Sequence, residues 1–286
     1  MGELMHNETG EALEPRSFED KLQASRDLVR TALSNHDRPV VACSFGKDSM
    51  TVLHLVRQFR EDVPVLWNNT FVEYPETYQF KRRVEREWNL IIVEAKPARD
   101  FWWVVQRYGF PLFSRKGHAD ASKACCRYLK EYPVEKILRE RRFDLYFTGL
   151  RRAESRRRYF SATKYGAYFH SKRYKVWKCH PIQQWAEADV WHYHKLYGLP
   201  RNPLYDKPGV EGFEVHTACW SCTIPIKHGK IEFLRKNYPK LWKHLLKAGL
   251  AKVIIQKKTN GQAQSELTDV YIAQVIDSHP CFFDRI

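Results

Sequence analysis

No apolar run in this chain approaches the roughly 18 residues that a membrane-spanning helix needs, so nothing in the sequence calls for a membrane partner. Met1 to Arg16 is polar and acidic, with neither the basic start nor the apolar core of a secretion signal. A cytoplasmic protein is the expectation. Internal repeats and low-complexity tracts are lacking. Acidic residues are outnumbered: 33 Asp plus Glu face 48 Lys plus Arg, a formal charge of +15. Such an excess favours anionic partners through the summed field, whether nucleic acid, a small phosphorylated substrate or an acidic protein. The cysteine count, seven, is odd, and the chain is neither small nor visibly secreted, which argues against a disulfide framework.

What is present is ordinary globular usage, 43% hydrophobic and 28% charged, in 286 residues, enough to bury a substantial core. The chain is organised around Val40 to Met50. A β-prone run, Val40 to Ser44, ends in Ser44-Phe45-Gly46-Lys47-Asp48-Ser49, and an apolar helical pattern follows through Val52, Leu53, Leu55, Val56 and Phe59. Gly46 lets the backbone approach an anion. The start of the next helix supplies unpaired N–H groups and a positive dipole end. Lys47 adds a charge, and Ser44 and Ser49 add hydroxyls. The loop predicts a phosphate or pyrophosphate site, although it is not the G-x-x-x-x-G-K-[ST] pattern.

Further strands are expected at Val63–Thr70, Leu90–Ala95 and Phe143–Gly149, with helices at Phe18–Ser34, about Tyr74 to Trp88, Asp100–Tyr108, Pro133–Arg141 and Ala186–Tyr197. Tyr174 to Ile182 reads as one more strand, and helical patterns resume from Ile231 to Leu250. Alternation of this kind predicts an α/β fold with a mostly parallel, twisted sheet covered on both faces. Ligands in such sheets bind beyond the carboxyl ends of the strands, and Ser44–Ser49, Asn68–Thr77 and Gly149–Arg158 are polar strand ends of that kind.

Two cysteine pairs stand out. Cys125 and Cys126 are adjacent, and Cys219 and Cys222 are spaced C-x-x-C. Together they offer four thiolates, a ligand set for an iron–sulfur cluster, with four-cysteine zinc and buried core thiols as the other readings. Residues 151 to 158 hold five arginines in eight positions, whose guanidinium forks match phosphate and sulfate oxygens. Lys172, Arg173, Lys175 and Lys178 alternate with Tyr174 and Trp177, a pattern shared by single-stranded nucleic-acid grooves and by strands with one wet face. Cys281, near the end in Ser278-His279-Pro280-Cys281, is a candidate sulfur carrier. Cys43 reads as a core residue.

These residues resemble a known family. Ser44 to Ser49 is similar to the pyrophosphate loop of the adenine-nucleotide α-hydrolase superfamily. Asn69-Thr70 with Tyr74-Pro75-Glu76-Thr77, Thr148-Gly149-Leu150-Arg151-Arg152 with Glu154-Ser155, and Pro181-Ile182, Trp185, Asp189-Val190-Trp191 and Asn202-Pro203-Leu204-Tyr205 resemble the phosphoadenosine phosphosulfate (PAPS) reductase family over roughly residues 38 to 225. The resemblance implies nucleotide contacts from Ser44, Phe45, Gly46, Lys47, Asp48, Ser49, Asn69, Thr70, Gly149, Arg151 and Arg152, with Lys47, Asp48, Arg151 and Arg152 as the catalytic set. It implies Cys125, Cys126, Cys219 and Cys222 as ligands of a 4Fe-4S cluster like that of adenylylsulfate (APS) reductases, with Cys179 open as a replacement for Cys125. It organises the chain as an N-terminal arm and helix (1–37), a nucleotide-binding domain (38–225) and a helical segment with a tail (226–286).

Two departures from the reductases matter. Their Glu-Cys-Gly-Leu-His tail, whose cysteine attacks the sulfate sulfur, is not matched around Cys281, and Lys47-Asp48-Ser49 is kept as in relatives that cleave ATP between the α and β phosphates. The expectation is therefore an ATP- and Mg2+-using sulfurtransferase that adenylylates an acceptor before sulfur insertion, with nucleic acid as acceptor (DNA ahead of tRNA) and a sulfur donor such as a cysteine desulfurase. A homo-oligomer is compatible with it. The alternatives are an APS or PAPS reductase using Cys281 as nucleophile and releasing sulfite, or a non-catalytic nucleic-acid-binding subunit.

Overall fold

The structure, a computed structural model, describes residues 5–6, 12–13, 17–111, 119–211, 213–223, 229–247 and 249–250. It divides into two compact units, each discontinuous in sequence. The first comprises residues 1–68, 76–95 and 133–202; the second comprises 69–75, 96–132 and 203–286.

The first unit is built on a six-stranded sheet. After a short antiparallel pair, β1 (Met5–His6) and β2 (Ala12–Leu13), and helix α1 (Phe18–Ser34), come β3 (Pro39–Ala42), α2 (Lys47–Arg57), β4 (Val65–Asn68), α3 (Pro75–Glu87) and β5 (Ile92–Ala95). Farther along the chain, α6 (Tyr132–Glu140) leads to β6 (Leu145–Phe147), α7 (Arg156–Tyr165), β7 (Tyr168–Ser171), β8 (Val176–Cys179) and α8 (Glu187–Leu196). The strand order is β5-β4-β3-β6-β8-β7. All neighbours are parallel except β7, which pairs antiparallel with β8 at the edge. This is the α/β sheet the alternation predicts. The central strands are buried on both faces: Val40, Val41, Val65, Leu145 and Phe147 are fully enclosed, the run of apolar residues that a covered parallel sheet requires. β3 sits at the middle of that order, and the chain beyond it turns directly into α2.

The second unit has its own core, in which Tyr74, Phe101, Leu129, Leu204, Phe233, Leu234 and Trp242 pack with Cys219 and Trp220. Its helices are α4 (Phe101–Tyr108), α5 (Ala119–Cys126), α9 (Lys230–Asn237) and α10 (Pro239–Lys247). Residues Arg127–Glu131 continue α5 as a π-helical turn before α6 begins, a wider winding found often where a helix serves a site. Among the described residues no helix is long and apolar enough to cross a membrane.

Two elements depart from expectation. Arg156 to Arg158, read as the end of a charged loop, open helix α7, which runs on to Tyr165, and the segment read as one strand is the second arm of a β7–β8 hairpin. Lys175, at φ 53°, takes the left-handed turn between the arms. Neither feature buries a periodic apolar face, which is the signal that sequence periodicity reads.

Candidate functional site

In the first unit the loop between β3 and α2 is tied by its own hydroxyl. Ser49 Oγ accepts the N–H groups of Ser44 and Gly46, each at 3.2 Å, and donates to the Gly46 carbonyl at 3.0 Å. Ser49 is thus a loop-forming residue, while Ser44 is exposed at the loop's outer side. Phe45 adopts φ 57°, a backbone state costly for a bulky side chain. It is over-determined by its surroundings: the ring is fully buried between Trp67 and Phe80, and Asn202 Nδ2 donates to its carbonyl at 3.0 Å. Phe45 shapes the loop through its backbone, with its side chain in the core.

The charged groups converge at the start of α2. Lys47, 5% exposed, lies 3.4 Å from Asp48 Oδ2 and 3.3 Å from Glu187 Oε1. Arg151, 4% exposed, donates from Nε to Asp48 Oδ1 at 2.5 Å. Arg158 pairs with Glu154 and feels both Asp48 and Arg151; burial, ahead of those charges, lowers its pKa. Gly149 lies against α2 so closely that a Cβ on it would sit 2.8 Å from the Asp48 carbonyl carbon and oxygen. Glycine here is a demand of close approach, and it brings the Arg151 segment onto the helix start. Arg152 opens a short 3₁₀ turn, its N–H donating to the Gln183 carbonyl at 2.9 Å.

Sequence reasoning missed His194 and Glu187, and it placed Asn68 in a polar strand end and Asn202 in a family motif without giving either a contact. His194 Nε2 lies 2.9 Å from the Lys47 carbonyl, and its Nδ1 is buried with no hydrogen-bond partner among the described residues. Asn68 Oδ1, at the carboxyl end of β4, is buried and unpartnered in the same sense. Each orphaned acceptor is a place for a ligand donor or water, since such groups rarely stay unpaired. The conjunction of Asn202 with Thr77, at 3.3 Å, has no short-range sequence signal.

Asn69 and Thr70 belong to the second unit. Asn69 Oδ1 accepts from Phe71 N at 3.0 Å in a local turn. Thr70 Oγ1 donates to Glu73 at 2.7 Å and lies 3.5 Å from Cys219 Sγ, so Thr70 serves the cysteines. The C-x-x-C segment is anchored by a Glu73–Cys219 bridge and by Trp220 N donating to the Val72 carbonyl at 2.8 Å. Cys125, Cys126, Cys219 and Cys222 lie near enough to perturb one another electrostatically. Burial pushes the Cys219 thiol up to about 11, against the pull of Lys130, and burial also raises Cys125. Lys130 is raised, most strongly by Cys219, while burial lowers Lys230 to about 8. Lys230 also donates to the Tyr74 hydroxyl.

The chemistry of this donor set fits a sulfur-rich group. Four soft thiols lie within electrostatic reach of two ammonium groups, Lys130 and Lys230, that offset thiolate charge. The hydroxyls of Ser221 and Thr223, flanking Cys222, are buried and lack partners among the described residues, as donors waiting for an acceptor would. Among those residues no three His, Cys, Asp or Glu side chains are closed into a ready-made metal site. Cys179 is fully buried in β8, in the core of the first unit with Cys43, and takes no part in the four-thiol set. Cys281 lies outside the described residues.

A loop that presents a helix start, a buried lysine and a buried arginine beyond the carboxyl ends of parallel strands defines a nucleotide-binding α/β protein. A model of the phosphoadenosine phosphosulfate reductase domain matches residues 38–225, and the chain belongs to that family. It is 31% identical over 232 residues to an adenosine 5'-phosphosulfate reductase of Halalkalibacterium halodurans, covering 79% of this chain and 89% of that protein. It is 30% identical over 196 residues to a phosphoadenosine 5'-phosphosulfate reductase of Xylella fastidiosa, covering 68% and 77%. Among solved structures it is similar to phosphoadenylyl-sulfate reductase from Candida auris in a phosphate complex, at 17% identity and a TM-score of 0.49 over 68% of this chain and 93% of that one.

Proposed function

We propose that the chain is an adenylyl-sulfate reductase, acting on APS in preference to ATP. The observation that carries this reading is the proximity of Cys125, Cys126, Cys219 and Cys222 to one another and to Lys130, close enough to perturb each other's charge, in a chain whose relatives include an adenosine 5'-phosphosulfate reductase. The case for ATP rests on Lys47-Asp48-Ser49, and each of these has internal work: Ser49 ties the loop, Asp48 binds Arg151, and Lys47 lies against Asp48 and Glu187. Retention of the three residues is accounted for by loop construction, which removes the main reason for preferring ATP.

In this reaction Lys47, Arg151 and the start of α2 hold the nucleotide phosphate and stabilise the charge that develops as AMP leaves. A cysteine thiolate attacks the sulfate sulfur, with Cys281 as the candidate although the Glu-Cys-Gly-Leu-His motif of the reductases is not matched around it. The new S–S bond forms as the S–O bond to the phosphate breaks, and AMP departs with the electron pair. A dithiol reductant then attacks the cysteine sulfur, frees sulfite and is itself oxidised to a disulfide. Cys125, Cys126, Cys219 and Cys222 would hold a 4Fe-4S cluster. When bound, the cluster would supply an iron–sulfur centre tuned by the charge of Lys130 and by hydrogen bonds from Ser221 and Thr223.

The test is product analysis with anaerobically purified protein and a dithiol reductant. Sulfite and AMP from APS are expected; pyrophosphate from ATP with no sulfite from APS would overturn the reading. That second outcome would belong to an ATP- and Mg2+-dependent sulfurtransferase.

A further inference from the structure

Helix α7 (Arg156–Tyr165) is ten residues long and has no buried side chain. Helices of this length are marginal in water unless packing supports them. This one is held from its ends: Ser155 Oγ accepts the Arg158 N–H at 3.3 Å, and Gly166 N–H donates to the Ala162 carbonyl at 2.9 Å. Arg158, paired with Glu154, and Ala162 are half-buried, and the remaining side chains of the helix are displayed to solvent. The display is unusual in kind. Four cations (Arg156, Arg157, Arg158 and Lys164) accompany three aromatics and no acidic residue. Tyr159, Phe160 and Tyr165 are 45%, 68% and 49% exposed. Arg156, Tyr159, Phe160 and Thr163 fall at i, i+3, i+4 and i+7, one face of the helix. Tyr165 stacks on Phe169 of the edge strand β7, with ring centroids 5.1 Å apart, which carries the aromatic surface from the helix to the sheet.

We propose that this face of α7 binds a single-stranded nucleic acid, with its phosphates on Arg156 and Arg157 and its bases stacked on Tyr159 and Phe160. Aromatics interleaved with cations are the means by which single strands are held without sequence readout. A second copy of this chain is disfavoured as occupant, because two such cationic helices, each on a chain of net charge +15, would repel. The helix starts five residues after Arg151, so a strand lying along it belongs to the same unit as the nucleotide loop. The binding does not depend on which reaction the nucleotide loop supports, and a small nucleotide substrate alone gives no reason for this surface.

The test is fluorescence anisotropy with a labelled 12-nucleotide single-stranded DNA of mixed sequence, titrated with the full chain at several salt concentrations and without APS or ATP. Saturable binding is expected, equal for the RNA of the same sequence and much weaker for the duplex, whose bases are not free to stack. Phe160→Ala and Tyr159→Ala should each weaken binding by about fivefold or more. The Arg156→Ala/Arg157→Ala pair should lower the slope of log K against log salt by about 1.4. Absence of binding, equal affinity for duplex, or an unchanged affinity in Phe160→Ala would overturn the proposal. So would stronger binding to anionic phospholipid vesicles than to the oligonucleotide. Sulfite release from APS is measured separately, so failure of the surface and failure of the reductase reading remain distinct.

Discussion

Arg151 donates from Nε to Asp48 Oδ1 at 2.5 Å, and this bond ties the segment after β6 to the first turn of α2. It joins positions 103 residues apart in the chain, and it occupies the carboxylate that an ATP-based reading would give to a metal. Asp48→Asn should leave Arg151 as a buried charge without its partner and lower stability by about 3 kcal/mol in denaturant titration. Nucleotide affinity should hold or rise, because an anion then meets less competing negative charge. A Mg2+-dependent loss of nucleotide affinity would show instead that Asp48 serves a metal.

Gly149→Ala tests the close approach. The added methyl would meet the Asp48 carbonyl carbon and oxygen at 2.8 Å and Ser49 N at 3.0 Å, all backbone atoms that cannot swing aside. A cost of about 1–3 kcal/mol in stability is expected from overpacking, with nucleotide binding weakened by about tenfold or more as the loop shifts. Gly198→Ala is the control, since it has φ 58° but nothing within 4 Å of its Cβ. It should lose only about 1–2 kcal/mol of backbone strain and keep its affinity by calorimetry.

His180 sets an acid limit on stability. Its pKa is lowered to about 3 by burial first, with Lys178 and Arg158 adding to the effect, while Thr148 holds its Nδ1 at 2.7 Å. The unfolded chain protonates this group near pH 6.5 and the folded chain does not. Stability from this source is complete above that pH and falls as pH drops toward 3, by roughly 1.4 kcal/mol per pH unit. His180→Asn, measured by denaturant midpoint from pH 7 to 4, should show a shallower decline than the parent. Parallel declines would refute the assignment.

The cysteine set makes its own prediction. After anaerobic reconstitution with iron and sulfide, Cys125→Ala, Cys126→Ala, Cys219→Ala and Cys222→Ala should each lose bound iron and the brown absorbance. Cys43→Ala and Cys179→Ala should retain both, because those thiols lie in the core of the first unit. Iron retained by Cys219→Ala but lost by Cys179→Ala would reverse the assignment.

Sequence and structure agree best where local pattern and tertiary packing make the same demand. Val40 to Met50 reads as strand, loop and helix because β3 is buried on both faces and α2 begins where the polar residues begin. Helix α7 was illegible for the opposite reason: a helix that buries nothing has no apolar period, and only Ser155 and Gly166 mark its ends. Thr70 could be named from its motif, but its partner Cys219 lies 149 residues away. His194 carries no local signal for the same reason, and Asn68 and Asn202 could be placed in motifs but not given their surroundings.

By itself the sequence determined the class of fold, the strand–loop–helix at Val40 to Met50 and the four cysteines that stand apart from the other three. Alternating apolar periods, a glycine at a strand end and paired thiols are local chemistry, readable along the chain. The tertiary structure alone decided how those residues are used. It turned Ser49 inward, gave Asp48 to Arg151, drew Thr70 to the thiols and set Cys179 in the core. Each outcome depends on distances between residues far apart in sequence, which packing fixes and periodicity does not record.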